Sequence, residues 1–158
     1  MKEKIIIYTD GAAKGNPGKA GWGAVFLYRK DVFEIGGRTE HATNNQMELT
    51  APIEALKYLK SKMSKCLFDI EIISDSKYVI LGITEWIFNW QKNNWRNAAK
   101  KPVLNRELWE ELYLLVKELN PKWTYVKGHN EDKYNERADE IATSYAEGNG
   151  VKLKTHKF

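Results

Sequence analysis

Four acidic residues stand out by where they fall in the chain: Asp10, Glu48, Asp75 and Asp139. Asp10 closes the strand-like run Lys4 to Thr9, and Asp75 follows the run Leu67 to Ser74, so two core strands are each expected to end on an aspartate. Glu48 lies near the start of a segment with helical spacing, and Asp139 lies within the last such segment. Each acid has a plain structural reading. Asp-Gly is a hairpin dipeptide, an aspartate before Ser76 can cap a helix, and carboxylates on helices are ordinarily solvated. Together, however, the four can converge on one edge of a sheet. Hard divalent cations take oxygen ligands, and Mg²⁺ binds through a few carboxylates together with water and substrate phosphate. Two carboxylates about 4 Å apart repel by ~4 kcal/mol at an effective dielectric near 20, so the set is expected to cost stability without a cation.

The elements that must position these acids follow from periodicity. Lys4 to Thr9, Gly21 to Arg29 and Val32 to Arg38 read as three consecutive strands in an antiparallel meander, joined by Gly15, Asn16, Pro17 and Gly18 and then by Lys30 and Asp31. Asn44 to about Met63 reads as a helix with Leu49, Ile53, Leu56, Leu59 and Met63 on one face and Asn44 or Asn45 as its cap. Pro52 removes the amide that would bond the Glu48 carbonyl, so a local bend is expected there. Leu67 to Ser74 is a fourth strand and Lys122 to Lys127 a fifth. Helices are expected over Ser76 to Gly82, Thr84 to Asn93, Asn105 to Leu119 and Asp132 to Glu147. Strand-helix alternation after residue 44 allows parallel pairing. The expected fold class is mixed α/β: a five-stranded sheet with strands 1 to 3 antiparallel and strands 4 and 5 parallel, flanked by helices.

Several runs of residues resemble the type 1 ribonuclease H family. They are Tyr8-Thr9-Asp10-Gly11 with Gly15-Asn16-Pro17-Gly18, Thr43-Asn44-Asn45-Gln46-Met47-Glu48-Leu49, Ser74-Asp75-Ser76-Lys77-Tyr78, Trp123 through Lys127-Gly128-His129, and Asn135-Glu136-Arg137-Ala138-Asp139-Glu140. The resemblance runs in order over residues 4 to 146. It implies a ribonuclease H-like fold in a catalytic domain over residues 1 to 147, and an endonuclease that hydrolyses the RNA strand of RNA/DNA hybrids. It also implies that Asp10, Glu48, Asp75 and Asp139 bind two Mg²⁺ ions, with Mn²⁺ able to substitute. One ion would deliver hydroxide to phosphorus and the other would stabilise the departing ribose oxygen, leaving 5′-phosphate and 3′-hydroxyl ends. Asp10 would bridge both ions, Glu48 and Asp75 would hold one, and Asp139 the other. His129, on the loop before the last helix, would assist proton transfer or product release.

For the substrate, the resemblance implies that Asn16, Asn44 and Asn45 contact the hybrid minor groove, where a 2′-hydroxyl marks the RNA strand. Thr43 and Asn105 would grip a phosphate of the DNA strand. Lys77 belongs to the same contact surface. Trp86, Lys92, Trp95, Arg96, Lys100 and Lys101 lie in a stretch, residues 86 to 102, that looks like the family's basic handle, where aromatic and cationic groups can meet sugar and phosphate. Trp86 and Trp90 are expected to serve mainly as core. Gln91 and Asn93 stand where the bacterial pattern is usually basic, and His41 and Gln46 replace arginines, so weaker and less salt-dependent binding is expected. A catalytically dead hybrid-binding module would keep these contacts without needing all four acids. A nuclease domain of a reverse transcriptase, or an integrase-like recombinase, would share the fold and acids; the basic handle and Lys-Gly-His loop favour a stand-alone enzyme, less decisively against a reverse-transcriptase domain.

Composition agrees with a compact domain. The chain has 158 residues, 42% hydrophobic and 29% charged, with net charge +4, which permits a polyanionic partner. Cys66 is the only cysteine, so no internal disulfide can form, as suits a cytoplasmic protein. No run is long or apolar enough for a signal peptide or membrane span, and the expected state is a monomer with no membrane or obligatory protein partner. The tail, residues 148 to 158, carries Lys152, Lys154 and Lys157, has no periodicity and is expected to be loosely ordered.

Overall fold

The structure is a computed structural model, and it describes residues 3–62, 68–128 and 132–156. β1 (Glu3–Gly15), β2 (Gly18–Tyr28) and β3 (Asp31–Ala42) form the meander, followed by α1 (Asn44–Lys62) and β4 (Phe68–Ser74). The short α2 (Lys77–Leu81) runs through a turn of π-helix (Gly82–Trp86) into α3 (Ile87–Lys92). Then come α4 (Arg106–Leu119), β5 (Lys122–Tyr125) and α5 (Lys133–Ala146). The five strands lie in the order β3-β2-β1-β4-β5. β1 pairs antiparallel with β2 and parallel with β4, while β2 with β3 is antiparallel and β4 with β5 parallel.

Helices cover both faces. α1 and α4 pack on one side, where Ile5, Ile7, Phe26, Leu49, Ile53, Leu56, Ile72, Trp109 and Leu112 form the main core. The predicted α1 stripe is correct for Leu49, Ile53, Leu56 and Leu59, all buried, while Met63 lies outside the described residues. Each such aliphatic side chain contributes about 1.5–3 kcal/mol by leaving water. α5 covers the opposite face through Ala138 and Ile141, over Tyr8, Val25 and Ile73. Close approach there depends on a residue without a side chain: a Cβ on Gly21 would sit 2.3 Å from the Ala142 carbonyl oxygen.

The structure corrects the sequence reading at several points. β1 does not end at Asp10 but continues to Gly15, because its small residues Gly11, Ala12 and Ala13 keep pairing with β2 after β4 has ended. The cap of α1 is Thr43, not Asn44 or Asn45: Thr43 Oγ1 accepts the Gln46 amide at 3.1 Å, and Gln46 Oε1 accepts the Thr43 amide at 2.8 Å, a reciprocal capping box. Over its described residues, 148–156, the tail has no helix or strand, yet it is held in place. Glu34 donates its amide to the Lys154 carbonyl at 2.8 Å, and Val151 and Leu153 pack on the α5 side of the core. α1 runs unbroken through Pro52.

Candidate active site

The site forms where the two central strands part. β1 and β4 stay paired to Thr9 and Ser74, so Asp10 and Asp75 are the first residues of each chain beyond the pairing. β1 is still held on its other side, where Asp10 pairs with Gly23. Asp75 is not a helix cap; the neighbouring Ser76 caps α2, its hydroxyl accepting the Val79 amide at 3.2 Å.

Glu48 reaches this point from α1 because the helix lies directly on Gly11. A Cβ there would stand 2.4 Å from the Met47 carbonyl carbon, so any side chain would push α1 away. The Gly11 amide donates both to Glu48 Oε1 and, at 2.9 Å, to Asp10 Oδ1. Oxygens of Asp10, Glu48 and Asp75 all lie within 4.8 Å of one another, with Asp10 and Glu48 buried and Asp75 half-buried. Burial pushes the Asp10 carboxyl up to about 7, helped by the charges of Asp75 and Asp139 and opposed by hydrogen bonds from Glu48 and the Gly11 amide. Glu48 is raised well above the usual carboxylate range, first by burial and then by the charge of Asp10. Three oxygen donors brought this close fit a hard divalent cation.

Asp139 approaches from α5, half-buried, and its charge acts on Asp10. It is not part of the tight triad. His129 lies outside the described residues; Gly128, just before it, sits so close to Asp75 that a Cβ there would be 3.1 Å from Oδ2.

The other predicted residues fall into two groups. The first surrounds the start of α1. Asn16 Oδ1 accepts the Asn44 amide at 2.9 Å, and Asn44 and Asn45 are exposed beside Thr43. Gln46 joins Thr43 to Asn105 by donating to Asn105 Oδ1 at 3.3 Å, and Asn105 donates to the Tyr78 hydroxyl at 3.1 Å. Asn105 has left-handed backbone, φ 62°, a conformation asparagine tolerates better than most residues. Lys77 lies over the Tyr125 ring at 5.4 Å.

The second group is the handle. Trp90 packs against Trp109, with ring centroids 5.3 Å apart, and against Trp95 at 6.2 Å. Trp86 meets Tyr78 edge-on but is 38% exposed, so it is less a core residue than its apolar character suggests. Lys92, Arg96, Lys100 and Lys101 are all exposed, and Arg96 donates to the Lys100 carbonyl at 2.9 Å, bracing the loop. The sequence reading missed Arg106, whose guanidinium lies over Trp95 at 5.1 Å. Its one legible signal is its place next to Asn105.

A mixed sheet in this order, with acids gathered where β1 and β4 diverge, defines the ribonuclease H-like class of fold. A family model described as RNase H matches residues 2–147, and the chain belongs to the type 1 ribonuclease H family, which is metal-dependent. It is 48% identical over 141 residues to Ribonuclease HI of Pseudomonas aeruginosa PAO1, covering 89% of this chain and 92% of that one. It is 50% identical over 141 residues to Ribonuclease H of Francisella tularensis subsp. novicida, covering 89% and 90%. Among solved structures it is similar to LC11 ribonuclease H1 in complex with an RNA/DNA hybrid, with TM-score 0.71, 28% identity and coverage of 91% and 97%. Among the described residues no helix is long and apolar enough to cross a membrane.

Proposed function

We propose that this protein hydrolyses the RNA strand of RNA/DNA hybrids, leaving 5′-phosphate and 3′-hydroxyl ends, with Mg²⁺ as its cation and Mn²⁺ as a substitute. The observation that carries this reading is the Asp10, Glu48, Asp75 triad, within 4.8 Å, in a chain of this family. When bound, the cations supply Lewis acidity that lowers the pKa of water and neutralises charge on the phosphate.

The protein's own groups do the rest. Asp10, Glu48, Asp75 and Asp139 would hold the cations, with Asp10, Glu48 and Asp75 on one side and Asp139 on the other. Asn16, Asn44 and Asn45 present amides to the minor groove, where donor and acceptor groups suit a 2′-hydroxyl. Thr43 and Asn105, linked through Gln46, grip a phosphate of the DNA strand and set the register. The handle contributes Lys92, Arg96, Lys100, Lys101, Trp86 and Trp95, and Lys77 adds charge to the contact surface. His129 moves a proton or helps product leave. The catalytic domain spans residues 1 to 147, and the protein acts as a cytoplasmic monomer.

Labelled hybrid, duplex DNA and single-stranded RNA, incubated with Mg²⁺, with Mn²⁺ or with a chelator, test this reading. Cleavage confined to the RNA of the hybrid and lost with chelator is expected. Intact hybrid in both metals would refute the assignment.

A further inference from the structure

Asp139 is carried by α5, and contacts that fix α5 to the sheet begin at Arg137, two residues before it. α5 meets the sheet along a stripe that includes Ala138, Ile141, Ala142 and Tyr145. Residues in an α-helix are spaced by ~100° around the axis, so Arg137 and Asp139 leave α5 on opposite flanks of that stripe. Each nitrogen of the Arg137 guanidinium donates a hydrogen bond. Nε donates to Glu34 Oε2 at 2.7 Å, Nη2 to Glu34 Oε1 and to the Lys152 carbonyl at 3.0 Å each, and Nη1 to Glu140 Oε1 at 2.7 Å.

Glu34 on β3 is the hub. Its side chain is 1% exposed, and Oε1 also accepts the Lys154 amide at 2.9 Å, while the Glu34 amide donates to the Lys154 carbonyl at 2.8 Å. A single buried carboxylate thus joins an edge strand, α5 and the tail. Buried ion pairs are often no more stabilising than apolar replacements. A two-pronged arginine-carboxylate pair does fix an angle, because both groups are planar and meet in one plane.

We propose that the Glu34–Arg137 pair, closed by the backbone of Lys152 and Lys154, sets the rotation of α5 and so the place of the Asp139 carboxylate. Glu34 and Arg137 are then positioning residues for the reaction, an inference that rests on the activity proposed above. The lever is short. A carboxylate ~5 Å from the helix axis moves ~1 Å when the helix turns by ~10°, and a ~1 Å displacement of a catalytic group can cost ~100-fold in rate.

Glu34→Gln keeps shape and removes the charge, and Arg137→Lys keeps charge and removes the two-pronged contact. In the full chain each is expected to lower kcat by ~10- to 100-fold and raise the Mg²⁺ needed for half-maximal rate by ~10-fold, with KM for hybrid within ~2-fold of the parent. Hydrogen exchange at α5 amides is expected to accelerate while α1 amides keep their protection. Parent-like kcat and Mg²⁺ dependence in Glu34→Gln, at a temperature where both proteins are folded, would overturn the proposal; so would exchange rising equally in α1 and α5. Exchange needs no substrate, so it tests the clamp even if the parent cuts no hybrid, which would instead defeat the assigned reaction.

Discussion

Replacing Asp10 with asparagine should abolish cleavage and yet make the cation-free protein more stable. The sign follows from the raised carboxyl. Asp10 titrates at about 7 in the folded chain against 3.8 ordinarily, so between those values the folded state holds a proton that the unfolded state has released. Stability therefore falls as pH rises from about 4 to about 7, and above that the full penalty remains. At 1.36 kcal/mol per pH unit, the gap between 3.8 and about 7 corresponds to as much as ~4 kcal/mol. Asp10→Asn lacks the charge and escapes most of this. Its chelator-treated form is expected to exceed the parent by ~2–4 kcal/mol at pH 8, or of the order of 10 °C in Tm for a chain of this size. At pH 4 the two should coincide. Mg²⁺ should narrow the difference by stabilising the parent, since a ligand that binds only the folded state raises its stability. Urea unfolding at pH 4, 6 and 8, with chelator and with Mg²⁺, measures all of this. A stability difference independent of pH would refute the electrostatic reasoning, as would a variant less stable than the parent at pH 8.

Other outcomes follow from single contacts. Gly11→Ala must move the start of α1 by ~1 Å to relieve the 2.4 Å approach to Met47, costing about 1–3 kcal/mol in urea unfolding and ~100-fold in kcat as Glu48 is carried off its place. Thr43→Ala removes the capping hydroxyl and, on the proposed function, a phosphate contact, so a loss of about 1 kcal/mol in stability should accompany a raised KM in steady-state cleavage assays. Arg106→Ala, which frees Trp95, should weaken hybrid binding and reduce the slope of log affinity against log salt by about 1 if Arg106 also meets phosphate; an unchanged slope would confine it to bracing the handle.

The order of elements was legible because strand and helix periodicities are strong here, and the acids were legible as a pattern in that order. What escaped the sequence depended on pairing and burial. Gly11-Ala12-Ala13 carries little apolar signal, so nothing in it tells that β1 runs on beside β2. Thr43 lost to its asparagine neighbours as a cap because the choice is made by Gln46 reaching back. Glu34 sits in an alternating strand where an acid ordinarily faces water, and only its partner 103 positions later, Arg137, explains its burial. Arg106 looks like any surface charge at a helix start until the Trp95 ring is seen beneath it.

The separation of β1 from β4 past Thr9 and Ser74 has a consequence for how the chain folds. Along the β1–β4 pair Ile5 meets Ile70 and Ile7 meets Ile72 in the core, which favours assembly, but the next step in each strand brings together acids that resist it. The catalytic end is thus a region of local conflict within an otherwise self-consistent fold. Its members lie at positions 10, 48, 75 and 139, so they meet only after distant parts of the chain have closed their loops, the slow kind of contact. Cation added during refolding should therefore act late, speeding the final closure of this end while leaving the earlier growth of the sheet unchanged.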